Sequence, residues 1–147
     1  MQVLKFGGTS VANAEAIQQV VEIVSRSVDR DRTILVVSAI RGCTDALIRI
    51  GNLASQRDEA YKEVIDDLQK QHHQIIKDSL PVEKHEEPLE TCASLFNSLR
   101  SIAQGVYLLG ELSPTSLDAI QGFGEQWSSR IIATKLASIG IATKWVD

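Results

Sequence analysis

At 147 residues the chain is long enough for one ordinary domain, and 44% apolar against 23% charged residues place it in the globular range. A formal net charge of −4 and a pI near 5.4 exclude a general electrostatic attraction to nucleic acid or anionic lipid, so an anionic ligand has to be attracted locally. No apolar run approaches the roughly 20 residues of a membrane span, and the N-terminus lacks a secretory layout, which makes a cytoplasmic protein the expectation.

The first element is a short apolar strand, Gln2 to Phe6, stopped by Gly7-Gly8. From Asn13 onward Ile17, Val20, Val21, Val24 and Val28 recur at helical spacing, and Thr33 to Ala39 (TILVVSA) is a continuous β-branched run. Such a run suits a parallel strand covered on both faces, so the first third is expected to be a right-handed βαβ unit. After Arg41-Gly42 the pattern turns helical. Ala46 to Ala54, Tyr61 to Ile76 and Leu89 to Val106 carry three apolar stripes, the second and third separated by SLPVEKHEEP. The charged residues between Asp58 and Glu90 read as solvated helix backs. A fourth stripe, Ser116 to Ile139, is expected to bend at Gly122 and Gly124, and Gly140 ends it before a third strand, Ile141 to Val146. Pro81, Pro88 and Pro114 punctuate the helical half. Three strands against about five helices is a helix-heavy ratio for an α/β domain, the expectation being a part of something larger.

Three clusters carry candidate chemistry. In KFGGTS, a lysine ends a strand just before paired glycines. Lys5 there either snorkels to the surface or meets a bound phosphate cradled by the free N–H groups of a glycine turn. The string is not a Walker A loop, whose lysine follows its glycines, and GFGEQW lacks the third glycine of a dinucleotide fingerprint. In VVSAIRGCTD, Ser38 and Thr44 flank the C-terminal end of a strand, the edge where open α/β sheets place ligands, although both residue types also cap helices. In GFGEQWSS, Glu125 falls on the apolar side of its stripe. A buried carboxylate needs a cation, either a substrate ammonium or an arginine such as Arg41 or Arg130. Cys43 and Cys92 form no CxxC pair and read as reduced structural residues, and His72, His73 and His85 read as surface residues without metal-ligand spacing.

Together VLKFGGTSV, VVSAIRGCTD and GEQWSSRIIATKL followed by WVD resemble aspartate kinase (aspartokinase), of the amino-acid kinase family. The opening MQVLKFGGTSVANAE also looks like the start of bifunctional aspartokinase/homoserine dehydrogenases. The resemblance implies the N-terminal, substrate-side part of a catalytic domain over residues 1–147: an α/β/α sandwich with few, mostly parallel strands and many helices. It implies transfer of the ATP γ-phosphoryl group to the β-carboxylate of L-aspartate, the first step towards lysine, threonine and methionine. Lys5, with Gly7, Gly8 and Thr9, would line the ATP phosphates, while Ser38, Thr44 and Glu125 would hold aspartate, Glu125 through its ammonium. Mg2+ would accompany ATP without a ligand identifiable in this chain, and the full-length protein would be a homo-oligomer. Since a complete domain of this type has a second half, the 147 residues alone are expected to be inactive. The rival readings are a kinase for glutamate, acetylglutamate or a nucleoside monophosphate, and a non-catalytic binding or assembly module.

Overall fold

A computed structural model describes all 147 residues. Strand β1 (Gln2–Phe6) runs into a 3-10 turn at Gly8–Val11, then α1 (Ala14–Val28) and β2 (Thr33–Val37). Helices α2 (Cys43–Ser55), α3 (Tyr61–Ser79), α4 (Glu86–Leu109) and α5 (Pro114–Ser138) follow, with a second 3-10 turn at Val82–Lys84. The architecture is α/β and mostly helical, around a two-stranded parallel sheet in which Lys5 pairs with Val36 and Phe6 with Val37.

Local chemistry explains the boundaries. Asn13 caps α1 by accepting a 2.8 Å bond from the Ala16 N–H, and Ser113 caps α5 in the same way from Ser116, with Pro114 at the first helical position. Pro81 lies between helices as expected, whereas Pro88 falls inside the first turn of α4, where no intrahelical acceptor awaits its missing N–H. α5 runs as one helix across Gly122 and Gly124. Gly124 serves packing there, whereas Gly122 is exposed.

The sheet departs from expectation in two ways. Leu4, Phe6 and Leu35 pack against the helical core, but the opposite face is open: Val3, Ile34 and Val36 are 61%, 47% and 43% exposed, and Lys5 lies among them. The continuous apolar run in β2 reflects a strand built for two covered faces, one of which this chain covers. Residues Ile141 to Val146 form no third strand. They pass beside Ile34, Leu35 and Val37 but make no ladder with β2; instead the Ile141 N–H bonds to the Leu136 carbonyl and Trp145 Nε1–H donates to Ser129 Oγ at 2.8 Å. These bonds hold the segment to α5.

The core lies among the helices, centred on an aromatic stack in which Phe96 of α4 and Trp127 of α5 are 4.0 Å apart and nearly parallel. His72 of α3 completes it, 4.8 Å from Trp127 and 5.6 Å from Phe96 by ring centroids. This corrects the surface reading of His72, which is 0% exposed. The apolar stripe of α3 includes it because an imidazole that donates Nδ1–H to the Leu68 carbonyl at 2.8 Å presents mostly ring surface to its neighbours. His73 and His85 are half-buried. Both cysteines are buried free thiols, each pushed up to about 12 chiefly by burial.

Burial also lowers the His72 pKa from 6.5 to about 4, so the folded protein resists a proton that the unfolded chain accepts. Its contribution is therefore complete above pH 6.5 and is lost as pH falls towards 4. Between pH 8 and pH 5 the loss should be about 2 kcal/mol, measured by urea unfolding. His72→Leu should remove that share of the acid dependence while leaving the rest of the profile in place.

Candidate functional site

The C-terminal ends of the two strands bring the first two sequence clusters together. The Ser38 N–H donates to the Phe6 carbonyl at 3.0 Å, which sets Ser38 beside the start of the Gly7-Gly8 turn. Strand alternation places the Ser38 side chain on the same side as Val36 and Lys5, the open face of the sheet. Lys5 is exposed there and Ser38 half-buried. In the turn, the Ser10 N–H closes onto the Gly7 carbonyl at 3.0 Å, so the N–H groups of Gly8 and Thr9 precede the first turn bond and have no intrahelical acceptor. Thr9 faces elsewhere: it lines a cleft with Phe6, Ser10 and Gln19 on the α1 side.

The two glycines are not equivalent. A Cβ on Gly7 would meet nothing within 4 Å, whereas one on Gly8 would lie 2.8 Å from the Ala39 carbonyl oxygen, a backbone atom with no freedom to yield. Gly8 is thus required by packing, and Gly7 is the glycine left open to a ligand. Gly42 is the N-cap of α2, with φ at 81° and no side-chain capping bond, so neither Ser38 nor Thr44 is engaged as a cap. Thr44 is exposed in the first turn of α2.

The third cluster arrives through α5. A Cβ on Gly124 would lie 2.6 Å from the Ala39 Cβ and 3.4 Å from Cys43 Sγ, so glycine permits the helix to rest directly on the segment between β2 and α2. Glu125, the next residue, is thereby brought beside that segment. It is exposed rather than buried, because one step round the helix from Gly124 leaves the packed face. Neither anticipated arginine pairs with it: the four ion pairs involve other residues. Its charge is felt by Cys43, whose thiol is raised first by burial and then by Glu125. Burial and the neighbouring carboxylate both favour the neutral thiol of Cys43.

Ala39 is the residue that sequence reasoning missed. Its carbonyl fits Gly8 and its methyl fits Gly124, so all three clusters meet on it, and a small residue flanked by Ser38 and Ile40 gave no periodic signal of that role. No group of three or more His, Cys, Asp or Glu is placed to hold a metal ion.

The model of the amino acid kinase family matches residues 1–147. The chain belongs to the amino acid kinase family. This amino acid kinase chain is 30% identical to a chloroplastic bifunctional aspartokinase/homoserine dehydrogenase 1 of Zea mays over 143 residues, 97% of the chain and 15% of the maize protein. It is 31% identical to chloroplastic aspartokinase 3 of Arabidopsis thaliana, covering 99% of the chain and 25% of that protein. Its fold matches the crystal structure of E. coli aspartokinase III in complex with aspartate and ADP, with a TM-score of 0.81, 25% identity, and coverage of 95% of this chain and 29% of that one. The chain thus spans between about a seventh and a third of the relatives it matches.

The glycine geometry separates packing from chemistry in this amino acid kinase chain. Gly8→Ala should destabilise by about 1 to 3 kcal/mol through overpacking, while Gly7→Ala stays within about 0.5 kcal/mol of the parent, both read from urea midpoints. Within α5 the signs should oppose: Gly122, with nothing within 4 Å of its Cβ position, gains up to about 1 kcal/mol on becoming alanine, and Gly124→Ala loses stability despite the same helical gain.

Proposed function

We propose that this chain supplies the acceptor side and part of the phosphate side of an aspartate kinase site, in which the ATP γ-phosphoryl group passes to the β-carboxylate of L-aspartate. The observation that supports it most is that Gly8 and Gly124 both pack on Ala39, which draws the Gly7-Gly8 turn and the part of α5 that carries Glu125 to the strand end where Lys5 and Ser38 share one sheet face. Membership of the amino acid kinase family and the likeness to aspartokinases support the reading.

Donor and acceptor are both anions, and a loose phosphoryl-transfer transition state spreads charge over the transferring oxygens. Lys5, on a strand and exposed at the sheet end, offers a fixed positive charge, and the N–H groups of Gly8 and Thr9 offer aimed dipoles that need no rearrangement. Gly7 leaves room for a phosphate to approach the backbone. On the acceptor side Ser38 and Thr44 have hydroxyls free of capping duty, and Glu125 is a carboxylate without an arginine partner, suited to an ammonium beside the acceptor carboxylate. Mg2+ would accompany the ATP phosphates, and no step of this reading is routed through a metal ligand from these residues.

In the full-length gene product, ATP- and aspartate-dependent ADP release, with hydroxylamine trapping the acyl phosphate, tests the reaction. Turnover with glutamate exceeding that with aspartate would assign a different acceptor. Lys5→Ala should lower kcat on the order of 10²- to 10³-fold, the usual loss of one transition-state donor. Glu125→Gln should raise KM for aspartate as well as lower kcat, with KM for ATP little changed.

A further inference from the structure

The contact of Gly124 with Ala39 fixes how deeply α5 rests on the segment that joins β2 to α2. A Cβ at position 124 would stand 2.6 Å from the Ala39 Cβ, well inside the roughly 3.5 to 4.0 Å at which carbon atoms rest on one another. Its other neighbours would be much less crowded, Cys43 Sγ at 3.4 Å and Leu47 Cδ1 at 3.5 Å. One methyl group is therefore the main obstacle, and the depth of α5 is set by a carbon present at 39 and absent at 124. Gly122 on the same helix would meet nothing within 4 Å. Phe123 and Trp127 flank Gly124 and are both buried in the core, which keeps that stretch of helix rigid, so an overlap here is relieved by a shift of α5 against the Ala39 segment.

Each partner in this contact is the chain neighbour of a candidate acceptor-side group. Glu125 follows Gly124, is exposed, and has its charge felt by Cys43, the first residue of α2. Ser38 precedes Ala39 and is held to the Phe6 carbonyl at the strand end. A shift at the contact is thus passed to the gap between Glu125 and the strand end. Relieving the overlap takes about 1 Å and carries α5 away from Ala39. That distance is close to what one further methylene adds to an acceptor. We propose that Ala39 and Gly124 form a spacer that sets how far Glu125 stands from the strand end, and so selects the acceptor amino acid by its length. The proposal rests on the reading of Glu125 as the partner of the acceptor ammonium. Ala39 and Gly124 act through Glu125 and Ser38 and are positioning residues.

In the full-length gene product, Gly124→Ala should raise KM for aspartate about tenfold with KM for ATP little changed, and should raise the ratio of kcat/KM for glutamate to that for aspartate by about as much. Ala39→Gly deletes the opposing methyl, so Ala39→Gly combined with Gly124→Ala should bring both values back to within about threefold of the parent. Gly8→Ala provides the contrast: its overlap is with the Ala39 carbonyl, which Ala39→Gly leaves in place, so that pair should show no rescue. Gly122→Ala should leave KM and acceptor preference unchanged. If Gly124→Ala alone fails to fold, the Ala39→Gly/Gly124→Ala protein decides, since parent values are required of it. A parent enzyme that phosphorylates no amino acid would overturn the functional reading and the spacer together. With a parent active on aspartate, the spacer alone is overturned by a Gly124→Ala variant that melts lower yet keeps its KM and preference, by an unrescued double variant, or by rescue of Gly8→Ala.

Discussion

The arrangement of this chain depends on how closely two glycines approach one alanine. Ala39 lies two residues past the end of β2, and neither of its neighbours in space leaves room for another carbon: Gly8 rests on its carbonyl and Gly124 on its methyl. Without the first approach the turn after β1 would lift from the sheet end. Without the second, α5 would stand off from α2 and carry Glu125 away. A parallel strand pair needs a crossover of this kind to bring its C-terminal ends level, and here the crossover helix α1 delivers β2 in a register that puts Lys5 beside Val36.

Much of this was legible because it is periodic. The spacing of Ile17, Val20, Val21 and Val24 gave α1, and the four later stripes gave α2 to α5 within a few residues of their observed ends. Strand pairing was less legible. Ile141 to Val146 has strand composition, but a strand also needs a partner's hydrogen bonds, and Trp145 and Ile141 find theirs on α5. His72 illustrates the opposite failure: its polarity suggested solvent, whereas one bond to its own helix frees the ring to stack on Trp127.

For the candidate site, the sequence singles out residue types but not how they divide between packing and exposure. Lys5, Ser38 and Thr44 stand out as polar groups near strand and helix ends, and Glu125 as a carboxylate beside a glycine in the middle of α5. Nothing in the string KFGGTS separates the glycine that packs from the glycine that is open, because that distinction is made by a carbonyl 31 residues further along the chain. Long-range backbone proximity is a property of topology, and a single sequence expresses topology only weakly.

The open sheet face has a consequence for how the protein behaves in company. That face presents Val3, Ile34 and Val36 side by side, exposed apolar surface suited to covering by other protein. Lys5 is the one charged side chain among these residues. A lysine there repels a second lysine brought up against the same face, so a charge set amid apolar residues opposes the stacking of two such faces. The side chain proposed above to meet a phosphate thus also keeps this apolar face interrupted by a charge.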